Sequence, residues 1–452
     1  MDIARAARVR AGTSSWVRTG ETYPKPEIKA HAIFGRGSAA GLAGARRVWL
    51  TCLGGRAHRA PRMGVPSKIY LDHGGTTPLD PVVLEGLTTR LAWPLGNPNA
   101  AHESGQVARA MLEDARRSLA QALGCTPESI VFTSGGTESL TLAVRGATPS
   151  RRKRVLITTV EHSAVRTAAE ALKTEADFEL DLLGVGSTGL IDPATLREAL
   201  HPETRVVALI LAQNEIGTIQ PLERLVPLIR AHAPRARIVV DAVQAFGKAD
   251  LQFLTSGPSA VDAVAITAHK LHGPVGIGAL FVNRPLHAWA KGGGQERGMR
   301  GGTQPAVLAW AFAEAVRQYA LDVDAAVRIG ALRDHLVASI LASLPGVGLT
   351  GEPSGPSRLY NNAHFCIAGL PSEPLVNGLS SVGVAASAGA ACSTGKGKVS
   401  PTLQAIGRRE TEGAFLRMTL GRTSTLRDVD DAALRLVEVV TRLRQTYSKP
   451  TS

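Results

Sequence analysis

Cysteine is scarce: the 452 residues hold four, Cys52, Cys125, Cys366 and Cys392, far apart, with no CxxC pair and no histidine at ligand spacing. That excludes a disulfide framework and gives no sign of a zinc site, and it fits a reducing compartment. Long apolar runs are also missing. Stretches such as 206–212 fall far short of the roughly 20 residues that cross a bilayer, so no membrane span is expected. Acids are absent from one long stretch, between Glu27 and Asp72. Residues 1–62 carry twelve Arg or Lys against three acids, which is +9 of the formal +13 and leaves +4 for the other 390 residues. The basic excess is therefore terminal, and nucleic-acid binding is not expected of the body.

What is present is a chain with 44% hydrophobic residues, long enough for two or three domains with a large core. Residues 1–66 show no steady hydrophobic period and read as a basic, loosely folded extension. They are either an organelle transit peptide, mitochondrial or plastid, or an over-extended start ahead of Met63. The body itself reads as cytoplasmic. From Ile69 onward, short β-branched runs at 155–158, 205–211, 238–240, 261–266 and 278–282 alternate with helical patterns. Leu112, Leu119 and Leu123 line one face of a helix ending at Gly124, and a further helical stretch spans 428–446. Such alternation predicts an α/β body around a mostly parallel sheet. No internal repeat is present.

Three local patterns bear on chemistry. Ala268-His269-Lys270 follows the run 261–266 and precedes Gly273-Pro274. A lysine where a buried strand ends can be desolvated, which lowers its pKa and makes it a Schiff-base nucleophile; an ordinary surface lysine is the alternative. Asp241 follows Ile238-Val239-Val240, at the strand end where ligands bind in open α/β sheets. There it can hold a pyridinium nitrogen protonated, or merely cap the next helix. The third pattern is Ser134-Gly135-Gly136-Thr137-Glu138-Ser139, which leads into a helix over 139–144. Free backbone N–H groups and the helix dipole suit a phosphate at that start, although a simple Thr137 cap looks the same.

In order and spacing, these patterns resemble the class V aminotransferases of pyridoxal-phosphate fold type I, and within them the cysteine desulfurase and selenocysteine lyase group. The resemblance runs from about Ile69 to Asp430. It rests also on Tyr70-Leu71-Asp72 with Thr76-Thr77-Pro78, Gly96-Asn97-Pro98, Glu161-His162, Gln213-Asn214-Glu215-Ile216-Gly217, the segment 292–303, Gly389 to Cys392, and Arg417 with Gly421-Arg422. It implies a large domain over 80–325 with a mostly parallel central sheet. A smaller α+β domain would be built from 67–79 with 326–450. Pyridoxal 5'-phosphate is the implied cofactor, with Lys270 as the Schiff-base lysine and Asp241 opposite the pyridine nitrogen. His162 would stack on the ring and shuttle a proton, and Gln244 and Asn214 would contact the ring hydroxyl and the substrate. Gly136, Thr137, Thr267 and His269 would hold the phosphate, with Thr303 reaching in from a second subunit of a homodimer. Arg417 would clamp the substrate carboxylate, unless it is a surface arginine on a C-terminal strand.

Cys392 stands in a run of small residues that leads into a glycine-spaced basic loop with Lys396 and Lys398, which favours the thiolate. The resemblance makes it the acceptor of sulfur from L-cysteine, giving L-alanine and a persulfide for a protein acceptor that supplies iron–sulfur clusters or thio-cofactors. Gly389-Ala390-Ala391-Cys392, Gly135-Gly136-Thr137-Glu138 and the step from Cys392 to Pro401 lean instead towards a selenocysteine lyase acting on L-selenocysteine. Gln213 and Gly75 also depart from the desulfurase pattern. A class V aminotransferase with a structural Cys392, or a non-catalytic relative on the same fold, remain as alternatives. Cys125 and Cys366 sit in apolar contexts and read as core fillers.

Overall fold

The computed structural model describes residues 69–447 except 149, 258, 289–290 and 390–398. The basic extension 1–66 and Cys392 lie outside the described residues.

The described chain opens with β1 (Ile69–Tyr70). Seven strands then form the central sheet: β2 (Ile130–Thr133), β3 (Arg154–Thr158), β4 (Glu179–Leu183), β5 (Thr204–Ile210), β6 (Arg237–Asp241), β7 (Ala263–Thr267) and β8 (Gly278–Val282). Their order is β2-β8-β7-β6-β5-β3-β4. All neighbours are parallel except that β8 runs antiparallel to both β2 and β7. The expected runs thus became strands of a mostly parallel sheet. Alternate residues go to opposite faces: Val207, Leu209, Ile238, Val240, Val264 and Ile266 pack on one side, and Val206, Ala208, Val239, Ala263 and Ala265 on the other. Burial on both faces explains why these strands read as continuous apolar runs.

Helices cover the two faces. Glu103–Leu123 buries Leu112, Leu119 and Leu123 and stops at Gly124, whose φ of 68° suits glycine. Gly136–Arg145 and Ser163–Ala176 pack on the opposite face, with Leu140 and Val165 inside.

A second, antiparallel sheet holds β9 (Val347–Leu349) and β10 (Asn362–Ile367); the pair β1 with β11 (Val384–Ala385) is parallel, and β12 (Ala414–Thr419) completes the order β12-β10-β9. Its core unites Leu336 and Ile340 of helix Ala325–Ser343, Phe365, Leu416 and Met418, and Leu436 and Val440 of helix Leu426–Tyr447. No described helix is long and apolar enough to cross a membrane. Cys125 and Cys366 are half-buried beside these cores, and burial raises the Cys125 thiol to about 11.

The parallel strands β3, β5, β6 and β7 end on one edge. His162, Asn214, Asp241 and Lys270 lie at or just beyond those ends, where the crevice of an open α/β sheet receives ligands.

Candidate active site

A cavity of about 630 Å³ opens at that edge and is lined by Lys270, Asp241, His162, Asn214, Gln244 and Arg417, with Gly136, Thr137 and His269 on its rim. Residues spread over nearly 300 positions thereby meet.

Lys270 ends the short turn Ala268–Lys270 that follows β7. Its Nζ donates to the carbonyl oxygen of Gly74 at 2.7 Å and to that of Gly75. Burial lowers the amine to about 8, helped by the Arg417 charge and opposed by Asp72 and Asp241. A lysine so depressed supplies free amine near neutral pH. The Gly74 carbonyl also accepts from Gln244 Nε2 at 2.8 Å, so one backbone oxygen orients two site residues.

Asp241 ends β6, fully buried, and accepts the Val243 N–H at 2.9 Å. Burial pushes its pKa up, against the Val243 hydrogen bond and the charges of His162 and Lys270. Beside it is a second buried carboxyl, Glu161, whose Oε1 accepts from Thr158 Oγ1 at 2.7 Å and Ile210 N at 2.8 Å. Its Oε2 has no partner. Burial raises Glu161 to about 8, and the Asp241 charge adds to that.

His162 caps helix Ser163–Ala176, its Nδ1 accepting from Ala164 N at 3.2 Å. That bond leaves Nε2 to carry the proton of the neutral ring. The side chain is exposed to the cavity rather than buried in a core.

Gly136 and Thr137 open helix Gly136–Arg145. A Cβ on Gly136 would lie 2.7 Å from Val243 Cγ2, so glycine keeps the helix start close to the Asp241 loop. His269 Nδ1 is 3.2 Å from Thr76 Oγ1, and burial together with the charges of Lys270 and Lys248 lowers its pKa to about 4. The ring is neutral. Thr267 turns its hydroxyl to the Ile277 carbonyl at 3.1 Å and is not on the cavity wall. Thr303 is exposed and likewise off the wall of its own chain's cavity.

Arg417 is no surface arginine. It lies in β12 with its side chain 7% exposed, donating from Nη1 to Asn214 O at 2.7 Å and from Nη2 to Asp72 Oδ1 at 2.7 Å. Its Nε is buried without a partner. Asn214 Oδ1 accepts from Gln213 Nε2 at 3.3 Å. Gln213, the departure from the desulfurase pattern, also bonds Thr402 Oγ1 at 2.9 Å and accepts two backbone N–H groups. It braces the Asn214 turn from outside the cavity wall.

Three contributors carried no separate signal in the sequence: Glu161, Asp72 and Lys248. The first two stand inside quoted motifs without an assigned role. Lys248 is a deeply placed amine whose Nζ reaches the carbonyls of Gln244 at 3.0 Å and Lys270 at 3.3 Å; burial and the Lys270 charge lower it to about 7. One lysine in a helical-looking stretch reads like any other until the fold encloses it.

An amine, an opposed acid, a stacking-competent imidazole and a glycine-lined helix start share one cavity, a donor set that fits pyridoxal phosphate. Residues 69–431 match the family model described as aminotransferase class-V. An IscS-like cysteine desulfurase of Mycobacterium tuberculosis is 37% identical over 391 residues, covering 83% of this chain and 97% of that relative. The solved structure of a NifS-like protein superposes with a TM-score of 0.76 at 29% identity, covering 83% of this chain and all of that one. A structure titled SspA in complex with cysteine gives 0.66 at 28% identity over 78% of this chain and 99% of that one. The strands, the cavity and these likenesses agree: the chain belongs to the class V aminotransferase family.

Proposed function

We propose that this protein is a pyridoxal-phosphate-dependent cysteine desulfurase, which converts L-cysteine to L-alanine and leaves the sulfur as a persulfide on Cys392. The observation that carries the reading is the convergence of Lys270, Asp241 and Arg417 on one cavity, in a chain 37% identical to an IscS-like cysteine desulfurase. Bound pyridoxal phosphate supplies an electron sink for the negative charge that develops at the substrate's α-carbon.

The chain's own groups do the rest. Lys270, with its amine near 8, holds the cofactor and is placed to move a proton at the α-carbon. Asp241 keeps the pyridine nitrogen protonated. His162 stacks on the ring and offers the Nε2 proton. Gln244 and Asn214 contact the ring hydroxyl and the substrate, while Gly136, Thr137 and His269 hold the phosphate, completed by Thr303 from a second subunit of a homodimer; Thr267, its hydroxyl given to the Ile277 carbonyl, lies behind them. Arg417 binds the substrate carboxylate through a planar guanidinium. The Cys392 thiolate attacks the substrate sulfur, an S–S bond forms as the C–S bond breaks, and the carbon takes a proton to become alanine. A protein acceptor then takes the outer sulfur, for iron–sulfur cluster or thio-cofactor supply.

The test measures alanine and sulfide or selenide release from L-cysteine and L-selenocysteine under reducing conditions, beside Cys392→Ala. Cysteine turnover lost in the variant supports the desulfurase. The sequence Gly389-Ala390-Ala391-Cys392 favours a second reading, and turnover of selenocysteine alone would establish that lyase. No alanine from either substrate would leave a class V aminotransferase.

A further inference from the structure

The opposite edge of the central sheet holds a group of charges that the proposed reaction does not use. Asp262, 2% exposed at its side chain, stands just before β7 and is approached by three guanidinium groups: Arg230 at 3.0 Å, Arg237 at 3.6 Å and, closer, Arg284. Its oxygens are already taken. Oδ2 accepts from Arg230 Nη2 and from Ile238 N at 2.9 Å, and Oδ1 accepts from Arg284 Nε. Arg237 is only partly satisfied: Nη2 donates to the Pro285 carbonyl at 3.4 Å, while Nε and Nη1 are buried with no hydrogen-bond partner.

Two more arginines adjoin this group. Arg205 precedes the register partner of Arg237 on β5 and gives only Nε to the Ala147 carbonyl at 2.8 Å. Arg152 repels Arg205 and meets Glu203 only at 4.0 Å. Five guanidinium groups therefore face two carboxylates among the described residues, a local excess of +3. Burial first, then the neighbouring arginines, push the pKa values of Arg205 and Arg237 down, as an over-positive cluster requires.

We propose that Arg152, Arg205, Arg237 and Arg284 form a binding site for a small, multiply charged oxyanion of the phosphate or pyrophosphate type. A planar guanidinium matches such an anion with paired N–H donors. A surface ion network would not need it, because there each guanidinium would find its own carboxylate. The site is separate from the active cavity: Arg237 and Asp241 are the first and last residues of β6, four steps of roughly 3.3 Å apart.

The test uses the cofactor-loaded protein, so that the cofactor's phosphate seat is already filled. Its melting midpoint is followed against sodium pyrophosphate and sodium phosphate, with sodium chloride at matched ionic strength as reference. A saturable rise with pyrophosphate beyond the chloride effect is expected. It should weaken about tenfold in apparent affinity in Arg205→Gln, the factor one charge-assisted hydrogen bond carries, with cofactor absorbance and alanine release unchanged. Arg152→Gln, on a partly exposed side chain, repeats the test if Arg205→Gln folds poorly. A rise no larger than that of chloride, or one that persists in both variants, would overturn the site.

Discussion

The depressed amine of Lys270 makes a quantitative prediction. Against an ordinary lysine value of 10.5, burial and the Arg417 charge bring it to about 8. At pH 7 roughly one-tenth of the amine is then free base, against about three parts in ten thousand for an unperturbed lysine, a gain of about 300-fold. Capture of pyridoxal phosphate needs that free base. The apoprotein should bind the cofactor at a rate that climbs with pH, bends near 8 and is flat above 9, followed by absorbance in rapid mixing. N-acetyl-lysine amide in the same buffers corrects for ionisation of the aldehyde reagent, and its own rate should keep climbing past pH 9. Arg417→Gln removes a cation that lowers Lys270, so its bend should move to higher pH. A wild-type rate still rising steeply between pH 9 and 10 would refute the reasoning, because it would mean that the cavity does not desolvate the amine.

Two further perturbations test the scaffold. Glu161 has its folded pKa raised to about 8 from 4.5, so the native state binds more protons than the unfolded chain in between. Its contribution to stability is full below pH 4.5 and lost as pH rises through 8. Melting midpoints at pH 5, 7 and 9 should therefore fall less steeply in Glu161→Gln than in wild type, and equal slopes would mean that Glu161 is ionised throughout. Glu296 is buried and accepts from Arg116 at 2.8 and 2.9 Å and from Phe132 N at 2.8 Å, which ties the segment before Thr303 to β2. Glu296→Ala leaves the buried Arg116 with only the half-exposed Glu113, at 3.0 Å, as a partner, with an expected loss of about 3 kcal/mol in chemical denaturation; a loss below about 1 kcal/mol would show the pair to be solvated.

The strands of the central sheet were legible because burial on both faces demands continuous β-branched runs, and 155–158, 205–211, 238–240 and 278–282 needed little adjustment at their ends. Strand β4 was not legible. It lies at the sheet edge, and its Glu179, Asp181 and exposed Leu182 break the buried apolar pattern. The site residues were legible only as a set: Lys270, Asp241 and the glycine turn at 135–136 each had an ordinary alternative, and their order and spacing supplied the rest.

Residue types and their local spacing, acting through hydrogen-bond geometry and side-chain period, determined in the sequence itself the strand ends and the helix start that furnish an amine, an acid and a phosphate seat. Which of those groups share a dielectric was decided by tertiary structure alone. Only folding placed Arg417 from β12 against Asp72 and Asn214, enclosed Lys248 behind Lys270, and set the Glu161 carboxyl beside Asp241. Charges interact through space and solvent exclusion, and neither distance nor burial is written in the separation of two residues along a chain.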